Sequence, residues 1–210
     1  MVESNIQNNM SVLITGVGGF IGFHLAKRML DDGYSVVAID NLNDYYDKGL
    51  KLDRLKKLGI EVSNKPTLVK YKSNIYESFC YYYLDICDEK LESLFETHNI
   101  KSVIHLAGQA GVRYSLEKPE EYIKSNCVGF FNVINTAQKK GVKRFIYASS
   151  SSVYGNSDQK KSFEESDNTN QPVSLYAATK KSNEVMANSY SELYNMDVVG
   201  LRFFTVYGPY

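Results

Sequence analysis

Ser11-Val12-Leu13-Ile14-Thr15-Gly16-Val17-Gly18-Gly19-Phe20-Ile21-Gly22 is the stretch that decides how this chain folds. A five-residue apolar run that stops at a glycine predicts a parallel strand buried on both faces. From Gly19 to Asp32 the apolar residues Phe20, Ile21, Leu25, Met29 and Leu30 recur at helical spacing, and Gly33 ends the pattern. Ser35 to Asp40 (S-V-V-A-I-D) is a second apolar run, so residues 11–40 hold a complete β-α-β unit.

Gly16, Gly19 and Gly22 stand where strand passes into helix. Glycine there permits a tight turn, close approach of the backbone to a pyrophosphate, and close contact of helix with strand. The start of the helix offers free N–H groups and a partial positive charge to an anion. A glycine triplet alone is usually a loop. This one has a strand before it, a helix after it, and Asp40 at the end of the next strand, which is the setting a dinucleotide requires. A carboxylate at Asp40 accepts hydrogen bonds from an adenosine ribose and repels a 2′-phosphate, which predicts NAD in preference to NADP. Capping the next helix is the other role open to Asp40.

Downstream the same alternation continues. Helices are predicted over Asp44–Leu58, Glu89–His98, Glu120–Lys140 and Tyr176–Tyr194. Strands are predicted over Tyr81–Asp85, Ser102–Leu106, Arg144–Ser149 and Asp197–Phe203. Residues 60–79 have no clean period and read as a surface insertion or irregular loop. Strands alternating with helices predict an α/β, doubly wound parallel sheet of the Rossmann type, occupying residues 11–210. Met1 to Met10 is polar and reads as a disordered leader, with a second start possible at Met10.

Composition narrows the function. Of 210 residues, 24 are Lys or Arg and 24 are Asp or Glu, so nothing draws the chain to nucleic acid or an anionic membrane. No apolar run approaches the roughly 20 residues that span a bilayer. Cys80, Cys87 and Cys127 have neither metal nor disulfide spacing, and no metal site is expected; reduced cysteines of this kind suit the cytoplasm. The 17 tyrosines cluster at residues 71–83, where packing explains them better than chemistry.

Two further motifs carry chemistry. Ser149-Ser150-Ser151-Ser152 follows the strand at Arg144–Ser149, and hydroxyls at the carboxyl end of such a strand lie where doubly wound folds bind ligands. A polar turn is the plainer reading. Tyr176 and Lys180 stand four residues apart on a predicted helix, so the ammonium group can sit near the phenol and lower its pKa. Such a phenol can exchange protons with a sugar or alcohol hydroxyl, with Ser150 sharing the proton. Asp85-Ile86 ends a predicted strand and could meet an adenine edge, or Asp85 could simply cap the following helix.

The glycine turn, Asp40, the serine run before Val153-Tyr154-Gly155 and the Tyr176/Lys180 pair resemble, in order and spacing, the extended short-chain dehydrogenase/reductase superfamily of sugar-nucleotide epimerases and dehydratases. Three stretches are similar to UDP-glucuronate 4-epimerases: Asp40 to Asp47, His105 to Ser115, and Pro172 to Lys181. Arg202 to Pro209 agrees with them. The resemblance implies NAD as cofactor, held by Gly16, Gly19, Phe20, Ile21, Gly22, Asp40, Asn41, Asp85, Ile86, Leu106, Ala107, Gly108, Asn126, Ser149, Tyr176 and Lys180. It implies Tyr176, Lys180 and Ser150 as catalytic residues, with Lys180 also binding the nicotinamide ribose and Asn126 supporting the tyrosine–lysine network.

The substrate implied is a UDP-sugar, UDP-glucuronate, epimerised to UDP-galacturonate for surface polysaccharide. Related dehydratases and decarboxylases carry acidic residues at the two positions after the catalytic Ser/Thr. Here Ser151 and Ser152 stand there, which implies C4 oxidation, rotation and re-reduction. Ser151, Ser152 and Arg113 are candidates to hold the sugar carboxylate; Arg113 could equally serve a phosphate or pair with Glu117. Family members continue into a small substrate domain, most of which is expected to be missing here. A catalytically silent NAD-binding protein and a 4-epimerase of another UDP-sugar are the alternatives. A homodimer through the helices at Glu120–Lys140 and Tyr176–Tyr194 is expected of a full-length form.

Overall fold

The computed structural model describes residues 10–63, 67–156 and 162–210; most of the polar leader therefore lies outside the described residues. Seven strands form one sheet in the order β3-β4-β2-β1-β5-β6-β7. They are β1 (Ser11–Thr15), β2 (Ser35–Asp40), β3 (Lys70–Lys72), β4 (Phe79–Tyr83), β5 (Ile100–His105), β6 (Arg144–Ser150) and β7 (Asp197–Phe203). All neighbours run parallel except β3, which pairs antiparallel with β4 at one edge. The chain winds outward from β1 through β2 to β4, then crosses back to β5 on the other side of β1. That reversal opens a crevice beyond the carboxyl ends of β1 and β5, where such sheets bind ligands.

Helices α1 (Phe20–Asp31) and α2 (Lys48–Lys57) cover one face; α3 (Leu91–Thr97), α6 (Phe130–Lys139) and α7 (Leu175–Tyr194) cover the other. Successive strand residues point to opposite faces. Thus Ile14, Val36 and Ala38 pack with Phe23, Ala26 and Leu55, while Leu13, Val37 and Ile39 pack with Phe95, Phe130 and Ile134. Burial on both faces is why these strands read as unbroken apolar runs.

Four expectations shift. The insertion at residues 60–79 contains β3, a three-residue edge strand whose Lys70 and Lys72 are exposed, as charges that guard an edge should be. The third parallel strand spans Phe79–Tyr83, not Tyr81–Asp85, because the register pairs Val36 with Phe79 and Asp40 with Tyr83. Helix α2 begins at Lys48 rather than Asp44, since the Asp47 side chain accepts the Gly49 N–H and caps it. The predicted long helix Glu120–Lys140 is divided. Short helices α4 (Tyr114–Glu117) and α5 (Pro119–Tyr122) precede a π-helical segment over Ile123–Gly129, and α6 follows. Among the described residues no helix is long and apolar enough to cross a membrane.

Candidate active site

A cleft of about 740 Å³ occupies the crevice at the switch point. Its floor is the glycine turn. Gly16, at φ +77°, packs so closely on the second wall that a Cβ there would lie 2.7 Å from the Ala107 nitrogen. A Cβ at Gly22 would collide with the Gly16 carbonyl oxygen. Gly19 N-caps α1 with no side-chain cap, which leaves the first-turn N–H groups to an anion in the cleft. The second wall is fixed by Thr15, whose hydroxyl accepts the Leu106 and Ala107 N–H groups at 3.2 and 3.1 Å. Its own proton then goes to His105 Nδ1 at 2.9 Å, leaving His105 as the Nε2–H tautomer. Burial, with Lys180 nearby, pushes the His105 pKa down to about 3, so the ring stays neutral.

Asp40 closes β2 with its carboxylate buried. Oδ2 accepts the Gly18 N–H at 3.0 Å and Oδ1 the Leu42 N–H at 2.7 Å. The carboxylate thus joins the glycine turn to the loop over residues 41–47. Lys51 Nζ lies 3.7 Å from Oδ1 and 2.6 Å from Asn43 Oδ1. Burial lowers the Lys51 pKa and Asp40 opposes that shift. Arg54 donates to the Gly18 carbonyl and to the Tyr46 hydroxyl. A buried carboxylate with a cation beside it and the glycine turn beneath suits a ribose diol joined to a pyrophosphate. A dinucleotide fits these donors and acceptors.

The opposite end holds the residues that the sequence marks as candidates for proton transfer. Ser150 ends β6, and its Oγ accepts from Ser152 N at 3.1 Å and Ser152 Oγ at 2.8 Å. Tyr176 stands in the first turn of α7, which Ser174 caps by accepting the Ala177 N–H. Burial raises the Tyr176 pKa, the nearby Ser150 hydroxyl lowers it, and the Tyr45 phenol raises it; the net shift is upward. The sequence predicted a phenol lowered by Lys180. Instead Lys180 Nζ donates to the Ala148 carbonyl at 2.8 Å, and burial drops its own pKa to about 8.

Of the predicted residues, Gly16, Gly19, Phe20, Ile21, Gly22, Asp40, Asn41, Ile86, Leu106, Ala107 and Gly108 line the cleft. So do Ser149, Ser150, Ser151, Ser152, Tyr176 and Lys180. Three predicted residues are placed elsewhere. Asp85 lies in the turn after β4, where it accepts the Cys87 N–H and the Asn41 Nδ2; it caps no helix, since α3 begins at Leu91 with Lys90 at its N-cap. Asn126 is buried in the π-helical segment and behaves as a satisfied amide: Oδ1 accepts the Gln109 N–H, and Nδ2 donates to the Gln109 carbonyl and to Thr179. Gly108 sits between it and the lysine: a Cβ there would lie 3.0 Å from Asn126 Oδ1 and 3.5 Å from Lys180 Nζ. Arg113 is exposed at the start of α4, outside the lining. The hydroxyl of Ser149 turns away from the cleft to Glu184 at 2.8 Å.

The sequence reading missed Tyr45, Tyr46, Lys51, Arg54 and Gln109, all of which line the cleft. Lys51 and Arg54 recur at i, i+3 within an otherwise leucine-spaced helix, a signal that could have placed both on its inner face.

Set against known proteins, residues 12–210 match the model of the NAD dependent epimerase/dehydratase family. The chain is 48% identical over 203 residues to Protein CapI of Staphylococcus aureus, covering 96% of this chain and 55% of that protein. It is 42% identical to a probable UDP-glucuronate 4-epimerase of Rhizobium meliloti, covering 96% and 54%. Among solved structures, the UDP-glucuronic acid 4-epimerase of Bacillus cereus in complex with UDP-glucuronic acid and NAD superposes with a TM-score of 0.80. Identity there is 31%, over 95% of this chain and 58% of that one. The chain spans about half the length of the curated relatives it matches.

Proposed function

This chain belongs to the NAD dependent epimerase/dehydratase family, and we propose that its cleft binds NAD and serves the 4-epimerisation of a nucleotide sugar, UDP-glucuronate to UDP-galacturonate. One observation carries the reading: Tyr176 and Ser150 line a single cleft with the glycine turn and Asp40. In this reading residues 11–210 are the cofactor domain. The glycine turn and the start of α1 take the pyrophosphate, and Asp40 takes the adenosine ribose.

Bound NAD supplies a reversible hydride acceptor at C4 of the sugar. The chain's own groups handle the proton. Tyr176, half-buried near Ser150, takes the proton of the 4-hydroxyl through the serine hydroxyl and later returns it. A phenol with a raised pKa is a minor phenolate at neutral pH but a strong base once formed, and Lys180 is the cation one helical turn on. Asp40 is the only carboxylate among the described residues that line the cleft. At the reacting end Ser151 and Ser152 offer hydroxyls only, and among the described residues no second carboxylate lines the cleft for chemistry at C5. Oxidation, rotation and reduction at C4 need none.

Similarity to UDP-glucuronate 4-epimerases favours a uronate, whose carboxylate Ser151 and Ser152 could hold. The test is to supply the chain with NAD and UDP-glucuronate and follow the sugar by NMR. Formation of UDP-galacturonate with no net NADH supports the proposal. Bound NAD without turnover leaves a silent cofactor-binding chain, and turnover of a different UDP-sugar alone reassigns the substrate.

A further inference from the structure

We propose that Tyr45 is a clasp across the cofactor cleft, closing against Gly111 and swinging out whenever the dinucleotide enters or leaves. The inference rests on the cofactor reading above. Tyr45 belongs to the loop over residues 41–47, on the β2 wall of the cleft, yet its hydroxyl lies against Gly111 of the β5 wall. A Cβ at Gly111 would collide with that hydroxyl, and Gly111 has φ +94°, which further favours glycine there. The Tyr45 ring packs on Tyr114 at 5.0 Å between centroids, so the contact crosses the mouth of the cleft and reaches the helix beyond.

The loop that carries Tyr45 is anchored on both sides of it. Asn41 bonds Asp85 at 2.9 Å, Leu42 is buried, and Asn43 accepts from Lys51. On the far side Tyr46 donates to the Gly18 carbonyl and accepts from Arg54, and Asp47 caps α2. Among the described residues Tyr45 itself is held by ring and van der Waals contacts, and it is 38% exposed. An anchored loop with one half-exposed ring lying across the opening is a side-chain gate rather than a moving backbone. The gate closes toward the Tyr176 end: Gly111, which the Tyr45 hydroxyl meets, also faces the Tyr122 hydroxyl, and the Tyr122 ring packs on Tyr176 at 6.0 Å between centroids. A 4-keto sugar awaiting reduction gains from a cofactor that cannot leave.

Stopped-flow fluorescence of NADH with the wild-type chain, Tyr45→Phe and Tyr45→Ala separates a gate from an ordinary contact. Opening the gate must precede both entry and exit, so Tyr45→Ala is expected to raise the association and dissociation rates alike, each by about tenfold. Tyr45→Phe keeps the ring but loses the hydroxyl that meets Gly111, and should fall between. A rise in the dissociation rate alone would make Tyr45 a contact residue and overturn the clasp. Unchanged rates would overturn it as well. Absence of NADH binding by the wild-type chain would instead remove the cofactor reading, and the clasp with it.

Discussion

Lys180 Nζ donates a 2.8 Å hydrogen bond to the carbonyl oxygen of Ala148, two residues before Ser150. The cation thus ties α7 to the end of β6 and sets the distance between the helix that carries Tyr176 and the strand that carries Ser150. Its charge costs free energy where it lies, because burial brings its pKa down to about 8. The lysine that pairs with Tyr176 in the sequence is, in the fold, a brace between the helix that carries Tyr176 and the strand that ends at Ser150.

That burial has a pH signature. Between about 8 and 10.5 the unfolded chain binds a proton at Lys180 that the folded chain has released. Stability contributed by this group therefore rises with pH across that window. Relative to Lys180→Met, the wild-type chain should gain up to about 3 kcal/mol as pH climbs through it. Chemical denaturation of both proteins at several pH values measures the gap, and a gap that stays constant contradicts the account.

Asp40 ties the glycine turn to the 41–47 loop, and in the proposed function it also faces the adenosine ribose. Asp40→Ser should weaken NAD binding and lower the NAD-to-NADP preference by about tenfold or more, since Lys51 remains beside any 2′-phosphate. Stability should fall by about 1–2 kcal/mol as the Gly18 and Leu42 N–H groups lose their acceptor. Titration with both cofactors checks the preference; retained discrimination would show that Asp40 does not set it.

Behind the serines, Glu184 accepts from Ser149 and, through both oxygens, from Arg202, with Lys181 at 3.4 Å. Burial works to raise the Glu184 pKa, but the bonds from Arg202 and Ser149 bring it below the usual carboxylate value. Glu184→Ala leaves the half-buried guanidinium without its carboxylate, keeping the Tyr154 hydroxyl and the Glu165 carbonyl, and should cost about 3 kcal/mol. Adding Arg202→Met should recover part of that loss. Urea unfolding of the four proteins of the cycle gives the coupling, and strict additivity would show that the pair is not coupled.

Space rather than conformation governs Gly22, which has an ordinary helical backbone. A methyl group there meets the Gly16 carbonyl, so Gly22→Ala should push α1 off β1, cost about 2 kcal/mol and weaken NAD binding. Calorimetry with and without NAD tests both parts; a variant that binds NAD like the wild type would mean that the turn tolerates the shift.

The β-α-β unit was legible because its strands are buried on both faces and its glycines sit between them, so residues 11–40 hold nearly all the information they need. The same was true of Ser150 at a strand end. Other features lay beyond local pattern. The π-helical segment at Ile123–Gly129 shares the apolar spacing of a continuous helix, so Asn126 could be expected inward but its partners, Gln109 and Thr179, could not be named. Asp85 looked equally suited to a ligand or a cap, and the register of β4 with β2 moved it into the turn. Tyr45, Lys51 and Arg54 reach the cleft only because the 41–47 loop folds back over the glycine turn, a contact between segments that no single stretch reveals. The position of Lys180 relative to Tyr176 followed from helical spacing, but the direction of its bond depended on Ala148, a residue with no polar side chain to advertise it.

The central claim is that a proton passes between the sugar 4-hydroxyl and Tyr176 in an NAD-containing cleft. The direct measurement compares the wild-type chain with Tyr176→Phe, both charged with NAD and UDP-glucuronate, following the C4 epimer by NMR and the cofactor by NADH absorbance. The account predicts epimerisation with the cofactor ending oxidised in the wild type, and a loss of about a hundredfold or more in rate for Tyr176→Phe with NAD still bound. A Tyr176→Phe chain that epimerises as fast as the wild type would contradict it.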